Sequence, residues 1–252
     1  FMSKSSVDTT LNYSPNFDLK KRKLKEIKFI IFHYTGMKKE YQAITQLTTS
    51  KSKVSSHYLI KNNGEILSLV PDLYVAWHAG VSSWKKYKSI NKYSIGIEIS
   101  NPGHEHSYKK FSQKQIKSII KLSTFLIKKY KIKSNLILGH SDIAPDRKKD
   151  PGEKFPWKYL SKNKIGYWHN LNEKKIFKYR NQIVNQSNKT EFIKNLHKIG
   201  YPKNKFFNKN KYFKLLTIAF QRRFRQELAN GIIDQECLVI SKNLIRTQNI
   251  TS

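Results

Sequence analysis

Acidic residues, cysteine and long apolar runs are all scarce in this sequence. The chain of 252 residues carries 17 Asp and Glu against 49 Lys and Arg, a formal net charge of +32. Its one cysteine, Cys237, excludes an intrachain disulfide and says nothing of the redox compartment. No apolar run reaches the roughly eighteen residues that a membrane span needs, so we expect no transmembrane segment.

The net charge and the hydrophobic content of the chain bear on different questions, the first on its partners and the second on whether it folds. A strong positive charge predicts attraction to an anionic partner, and nucleic acid, an anionic membrane surface and acidic cell-wall material all qualify. A lysine-rich codon bias explains the charge equally well. An aromatic content of 13% and a hydrophobic content of 38% indicate a folded protein rather than a disordered basic tail. Because the chain begins Phe1-Met2, we expect a trimmed or altered N-terminus, on which any signal peptide or lipid anchor has left no trace.

Short apolar runs predict the strands of a central sheet. Residues 28–34 alternate in a way that places His33 at the end of a strand, and residues 93–100 place Glu98 in the middle of another. The run NLILGH predicts a further short strand that ends at His140. A hairpin is expected over residues 57–70, where Asn62, Asn63 and Gly64 form the turn.

Helical patterns complete the predicted fold. Ser112 and Gln115 form a capping-box pattern at the start of a helix that should end near Tyr130. Strands that alternate with a long helix predict an α/β or α+β fold with a central sheet.

The composition shifts after about Lys175, and three short helices are predicted beyond that point. They cover residues 190–199, residues 212–224, and a segment capped by Asp234 that runs through Leu244. The stripe of Phe213, Phe220 and Phe224 is typical of a core-facing side. We therefore predict two domains, residues 1–180 and residues 181–252, with the boundary between residues 175 and 189.

The stretch GHSDIAPDRKKDPGEKFPW, residues 139–157, gathers a histidine, three aspartates and several cations in a segment broken by proline and glycine. Catalytic zinc needs three protein ligands and one open position, and both imidazole and carboxylate suit the ion. His33, His140 and Asp150 can supply three ligands only if the strands that end at the two histidines are neighbours. By residue type alone, a structural or solvated role is the commoner one for each of them.

The segment GHSDIAPDRKKDPG resembles the signature of the AmpD-like N-acetylmuramoyl-L-alanine amidases, the amidase type 2 family, which is related to the peptidoglycan recognition proteins. Four further blocks resemble the family in its own order: FIIFHYT, SSHYLIKNNGEILSLVPD, AWHAGVSSW and YSIGIEISN. The blocks span about residues 28–157. Beyond them, KYLSKNKIGYWHN resembles the two-domain AmiD-type branch, and AFQRRFRQELANGIIDQEC resembles its C-terminal peptidoglycan-binding-like domain.

The resemblance implies both a fold and a site. The fold would be a mixed central β-sheet flanked by helices, with a zinc cleft, followed by a small C-terminal three-helix domain. The family's zinc ligands fall on His33, His140 and Asp150, which implies one Zn²⁺ per chain. Its catalytic glutamate falls on Glu98 and its lysine on Lys148. All five residues are present, which favours a working amidase over a recognition protein that has lost its metal.

The implied reaction is hydrolysis of the amide between N-acetylmuramic acid, including its 1,6-anhydro form, and L-alanine of the stem peptide. Glu98 would transfer protons, and Lys148 would stabilise the oxyanion. The implied partners are peptidoglycan or muropeptides rather than nucleic acid. A non-catalytic peptidoglycan-binding module is the alternative. The AmiD-type second domain favours the periplasm or cell envelope over the cytoplasm, and it either binds wall polymer or braces the fold.

Several other residues attract attention, with two interpretations for most of them. We predict that Trp77, His78 and Asn91 contact substrate. A buried role beside the site is the other interpretation of His78 and also applies to His57, while a core position competes with the cleft for Trp77 and Trp84. Solvated surface positions are expected for His104 and His106, and solvated or substrate-facing positions for Arg147 and Lys149.

Overall fold

Six strands form one mixed sheet in the computed structural model. The structure describes residues 7–203 and 208–250, and Phe1 and Met2 lie outside this part of the chain. The strands of the described part are β1 (Thr10–Leu11), β2 (Phe17–Asp18), β3 (Phe29–Tyr34), β4 (Tyr58–Ile60), β5 (Ile66–Ser68), β6 (Val75–Ala76), β7 (Ser83–Trp84), β8 (Tyr87–Lys88), β9 (Ser94–Ile99) and β10 (Ile137–Gly139). The order in the large sheet is β1-β5-β4-β9-β3-β10. Here β4 and β5 are antiparallel, and the other neighbouring pairs are parallel. Two small antiparallel pairs, β2 with β6 and β7 with β8, lie outside it.

The predicted strands and hairpin are confirmed. Glu98 lies inside β9, and His33 lies near the end of β3. One detail was wrong, because β10 ends at Gly139 and His140 is the first residue of a short helix. Asp142 in that helix accepts a hydrogen bond from the Gly139 backbone N–H at 2.8 Å, which turns the chain out of the strand.

Eight α-helices occur within residues 7–203 and 208–250. They are α1 (Glu40–Thr48), α2 (Gln113–Tyr130), α3 (His140–Ile143), α4 (Trp157–Lys162), α5 (Glu173–Phe177), α6 (Gln186–Ile199), α7 (Lys209–Phe224) and α8 (Gln235–Ile250). The predicted capping box of α2 is present: Ser112 Oγ accepts from Gln115 N at 3.2 Å, and Ser112 N donates to Gln115 Oε1 at 3.0 Å. None of these helices has the length and apolar character that crossing a bilayer demands.

The alternation of apolar side chains along the strands gives the sheet two buried faces. Ile30, Phe32 and the three isoleucines of β9 pack against α2 and α4, in a cluster that also contains Trp157. Phe29, Ile31 and Leu138 point the other way and pack against the C-terminal helices. The sheet is therefore covered by helices on both sides, and the predicted fold is confirmed.

Two of the three C-terminal helices, α6 and α7, begin earlier than the apolar periodicity predicts. Asn185 accepts a hydrogen bond from Asn188 N and starts α6 four residues before the predicted position, and Asn208 caps α7 in the same way. The predicted cap of α8 is confirmed, since Asp234 Oδ1 accepts from Cys237 N at 3.0 Å. The first turns of α6 and α7 are polar, so the hydrophobic pattern misses them.

A single hydrophobic cluster joins the C-terminal helices to the sheet. Phe220 and Phe224 are buried in it, as predicted, together with Phe192 and the thiol of Cys237. The β7 residue Trp84 is also buried there, in an edge-to-face contact with Tyr201 at 5.0 Å between ring centroids. This contact supports the bracing role of the C-terminal segment, while the domain boundary between residues 175 and 189 remains a prediction.

Replacement of Phe220 tests the shared cluster. Phe220→Ala should lower the free energy of unfolding by about 3–5 kcal/mol, because it opens a cavity beside three other aromatic rings. Phe177→Ala is the matched control, since Phe177 is 59% exposed, and we expect a change within about 0.5 kcal/mol. Urea unfolding measures both. A similar small loss in the two variants would contradict the assignment of Phe220 to the core.

Candidate metal centre

Two neighbouring strands bring the predicted histidines to the same end of the sheet. Because β3 and β10 pair in parallel, with Phe32 opposite Gly139, His33 and His140 lie side by side at the carboxyl ends of the two strands. The loop after α3 then returns Asp150 to the same point, where all three side chains are buried. The two Nδ1 atoms lie 2.9 Å apart, and Asp150 Oδ2 lies 3.0 Å from each. The neighbour relation on which the zinc hypothesis depends is therefore present.

The hydrogen bonds behind His33 assign its tautomer. The Ser94 hydroxyl donates to the Ile90 carbonyl at 2.8 Å, so its oxygen accepts from Nε2–H of His78 at 3.0 Å. Nδ1 of His78 is then an acceptor, and it receives the Nε2–H of His33 at 3.0 Å. Burial, and secondarily the neighbouring His33, hold the pKa of His78 well below its usual value, which keeps the ring neutral. His33 therefore turns an unprotonated Nδ1 toward the cluster.

A backbone carbonyl does the same for His140. Ala79 O can only accept, so Nε2 of His140, 3.1 Å away, carries a proton, and in the neutral ring Nδ1 is the nitrogen with the free lone pair. The carbonyl is itself held in place. Asn91 Oδ1 accepts hydrogen bonds from the backbone N–H groups of His78 and Ala79, at 3.2 and 2.7 Å, and the Arg147 guanidinium donates to Ala79 O.

The donor set fits a metal ion. When both imidazoles are neutral, two nitrogen lone pairs and a carboxylate oxygen converge, an arrangement that a divalent cation satisfies. Burial, together with the nearby His140, lowers the pKa of His33 to about 4. Burial alone would raise the pKa of Asp150, but the adjacent His140 and His33 hold it well below its usual range. His33 is thus neutral and Asp150 ionised, which are the states in which these two groups bind metal.

Glu98 and Lys148 lie beside this cluster. In the paired strands Glu98 stands opposite His33, and both Glu98 and Lys148 line the cavity at the cluster. Glu98 Oε2 is buried without a hydrogen-bond partner in the described part of the chain. Burial and then the charge of Asp150 raise the pKa of Glu98 to about 8, against the opposing effect of Lys148. A cation at the cluster would lower this pKa again.

The cavity has a volume of about 360 Å³. Some of the other residues predicted to contact substrate line it, and others do not. Trp77 and His78 both line it, and the Trp77 indole N–H donates to Asp18 Oδ1 at 2.8 Å. His78 also takes the buried position behind His33. Asn91 does not line the cavity. It accepts hydrogen bonds from the backbone N–H groups of His78 and Ala79. Trp84 belongs to the core.

The remaining candidates fall outside the metal cluster. His57 is buried and accepts a hydrogen bond from Gly96 N at Nδ1, which is the expected structural role. The surface prediction for His104 was wrong, because its ring stacks on Tyr108 at 4.5 Å and its Nε2 lies 3.0 Å from Glu153. Lys149 forms an exposed ion pair with Glu105.

Sequence reasoning missed the residues that orient the ligands. Ser94, the Ala79 carbonyl and the Arg147 guanidinium all act through hydrogen bonds between segments that are distant in the chain. The block AWHAG was the one available indication, since it contains both His78 and Ala79.

The fold and the site define a class of protein: a mixed sheet between helices that carries a buried cluster of two histidines and one aspartate. A family model described as Amidase_2, N-acetylmuramoyl-L-alanine amidase, matches residues 23–153. The N-acetylmuramoyl-L-alanine amidase AmiD of Escherichia coli K12 is 33% identical over 231 residues, which cover 87% of this chain and 82% of AmiD. The chain belongs to this N-acetylmuramoyl-L-alanine amidase family.

Solved structures show the same likeness. AmiD from E. coli, in complex with the substrate anhydro-N-acetylmuramic acid-L-Ala-D-γ-Glu-L-Lys, has a TM-score of 0.78 at 33% identity, with 88% of this chain and 90% of AmiD covered. AmpDh3 from Pseudomonas aeruginosa, in complex with anhydromuramic pentapeptide, has a TM-score of 0.77 at 28% identity, with 98% of each chain covered. The 1,6-anhydro-N-acetylmuramyl-L-alanine amidase AmpD of Citrobacter freundii is 39% identical over 105 residues, which are 42% of this chain and 54% of AmpD. The likeness to AmiD and AmpDh3 therefore extends well beyond the part shared with AmpD.

Loss of one imidazole tests the cluster as a metal site. His140→Ala should abolish stoichiometric binding of a divalent cation, because two donors remain where three converge. Equilibrium dialysis with Co²⁺, followed by its visible absorption, measures this directly. His106→Ala is the control, since His106 lies outside the cluster. Undiminished binding in His140→Ala would remove His140 from the ligand set.

Proposed function

We propose that this protein is a zinc-dependent N-acetylmuramoyl-L-alanine amidase that cleaves the amide between N-acetylmuramic acid, including its 1,6-anhydro form, and L-alanine of the stem peptide. The observation that carries the proposal is the convergence of two imidazole lone pairs and one carboxylate beside Glu98, in a chain of this amidase family. The structures of AmiD and AmpDh3 with anhydromuramyl peptides support the choice of substrate.

His33, His140 and Asp150 would hold one zinc ion per chain. When bound, zinc polarises a substrate carbonyl and lowers the pKa of water toward neutrality. The buried residues His78 and Ser94 keep the His33 lone pair directed at the ion, and Ala79 O does so for His140.

Glu98 is the proton carrier of the proposed reaction. Its carboxylate would accept a proton from the attacking water and deliver that proton to the leaving amine, because Glu98 lines the cavity beside the metal cluster. A rigid strand, rather than a loop, holds the side chain. The ammonium of Lys148 stabilises the negative oxygen that develops on the scissile carbonyl, and one such group contributes about 3–4 kcal/mol in the transition state.

The surroundings of the site suit an anionic peptide substrate. The net charge of +32 attracts stem peptides, which carry several carboxylates. Trp77 on the cavity wall offers an aromatic face to the sugar or peptide. We place the activity in the periplasm or cell envelope, because the likeness to AmiD includes the C-terminal helices as well as the amidase segment.

Mass spectrometry of defined muropeptides, with and without the 1,6-anhydro ring, tests the proposed function. Protein loaded with zinc should release a free stem peptide that begins with L-alanine, and a chelator should stop the release because it removes the metal. Re-addition of zinc should restore it. No release from either sugar form by zinc-loaded protein would contradict the proposed reaction.

Replacement of Glu98 separates proton transfer from metal binding. Glu98→Gln should lower the rate of hydrolysis by about 10²–10⁴-fold, because the amide cannot accept the proton, while zinc content stays at that of the wild type. Glu105→Gln, which alters another carboxylate that lines the cavity, should hydrolyse at close to the wild-type rate. Turnover by Glu98→Gln equal to that of the control would exclude Glu98 from the reaction.

A further inference from the structure

The short helix α3 carries a metal ligand on one side and a buried carboxylate on the other. His140 begins the helix, and Asp142 follows two residues later with its side chain 1% exposed. Asp142 Oδ2 accepts from Gly139 N at 2.8 Å and from Arg223 Nη1 at 2.5 Å, and Asp142 Oδ1 accepts from the Tyr201 hydroxyl at 2.8 Å. Both oxygens are thus engaged, and two of the three donors come from the C-terminal region.

Arg223 connects the two elements that meet at His140. Its Nη2 donates to the carbonyl of Ile137 in β10 at 3.0 Å, while Nη1 binds Asp142 in α3. The guanidinium also lies over the Trp157 ring at 4.1 Å from the centroid. One buried cation in α7 therefore fixes the angle between the strand before His140 and the helix that His140 begins.

The same end of α7 also holds the segment that follows the third ligand. Gln226 Nε2 donates to the carbonyls of Glu153 and Phe155 at 2.8 and 2.7 Å, a few residues beyond Asp150. The segment between Gly139 and Phe155, which carries His140, Lys148 and Asp150, is consequently bound at both ends, by Arg223 at one and by Gln226 at the other.

We propose that Arg223 and Tyr201 are positioning residues for the metal centre, which act through Asp142 to set its affinity for zinc. Both lie outside residues 23–153, the part that the family model matches. The inference rests on the zinc site of the proposed function. It gives the C-terminal region a role in that site that is independent of any contact with wall polymer. Without the hydrogen bonds from Arg223 and Tyr201, the His140 imidazole loses its fixed orientation toward His33 and Asp150.

Two variants test the proposal with little risk to folding. Tyr201→Phe removes one hydroxyl and keeps the ring that packs on Trp84. The double variant Asp142→Asn with Arg223→Met removes both charges together, so that no unpaired charge is left buried. The matched control is Asp234→Asn with Arg225→Met, which alters another buried ion pair whose partners lie away from the ligand-bearing segment.

The readout is the dissociation constant of Zn²⁺, measured on the full chain by competition with a chromophoric chelator and without substrate. We expect zinc binding weaker by about threefold or more in Tyr201→Phe, and by about 10–100-fold in the Asp142/Arg223 double variant. The control pair should lower the unfolding temperature of the metal-free protein and leave the zinc constant within about twofold of the wild type.

Wild-type zinc affinity in both test variants, or an equal loss of affinity in the control pair, would overturn the proposal. If the double variant fails to fold, Tyr201→Phe decides the question alone. A chain that binds zinc in this way but cleaves no muropeptide would contradict the proposed function and leave the positioning role intact.

Discussion

Hydrogen bonds with fixed donors and acceptors decide which nitrogen of His33 and of His140 carries the proton when the ring is neutral. The carbonyl oxygens of Ile90 and Ala79 can only accept, and from them the direction of donation is fixed back to His33 and His140. A neutral imidazole carries one proton, so fixing that proton on the outer nitrogen leaves the inner nitrogen free to bind a cation. The parallel pairing of β3 and β10 then brings the two inner nitrogens together. The fixed tautomers and this proximity together make the cluster a candidate metal site.

Burial shifts the pKa values of the two kinds of acid–base group in the site in opposite directions, because it favours the neutral form of each. It keeps His33 neutral, which is the form that coordinates a metal, and it disfavours the charged form of Glu98. Lys148 opposes the second effect, and a cation bound at the cluster would oppose it further. One buried environment thus favours the metal-binding form of His33, while the charges in it adjust the pKa of the carboxylate that we propose as the proton carrier.

The parts of this site that depend on local pattern could be predicted from the sequence, and the parts that depend on long-range hydrogen bonds could not. Alternation in two apolar runs was enough to put His33 near the end of one strand and Glu98 within another. The roles of Ser94 and Asn91 could not be found in that way, because each acts on a residue that the fold alone brings near. His104 was assigned to the surface for the same reason: the Tyr34 hydroxyl and the Glu153 carboxylate beside it belong to distant segments.

The buried thiol of Cys237 gives the chain a natural reporter of its own motions. Cys237 is the single cysteine and lies in the cluster between the C-terminal helices and the sheet, where burial raises the pKa of its thiol to about 12. The thiolate is the reactive form, so alkylating reagents can reach this sulfur only when α8 separates from its neighbours. The rate of alkylation therefore measures how often the C-terminal helices open, on the unmodified chain and without an added label.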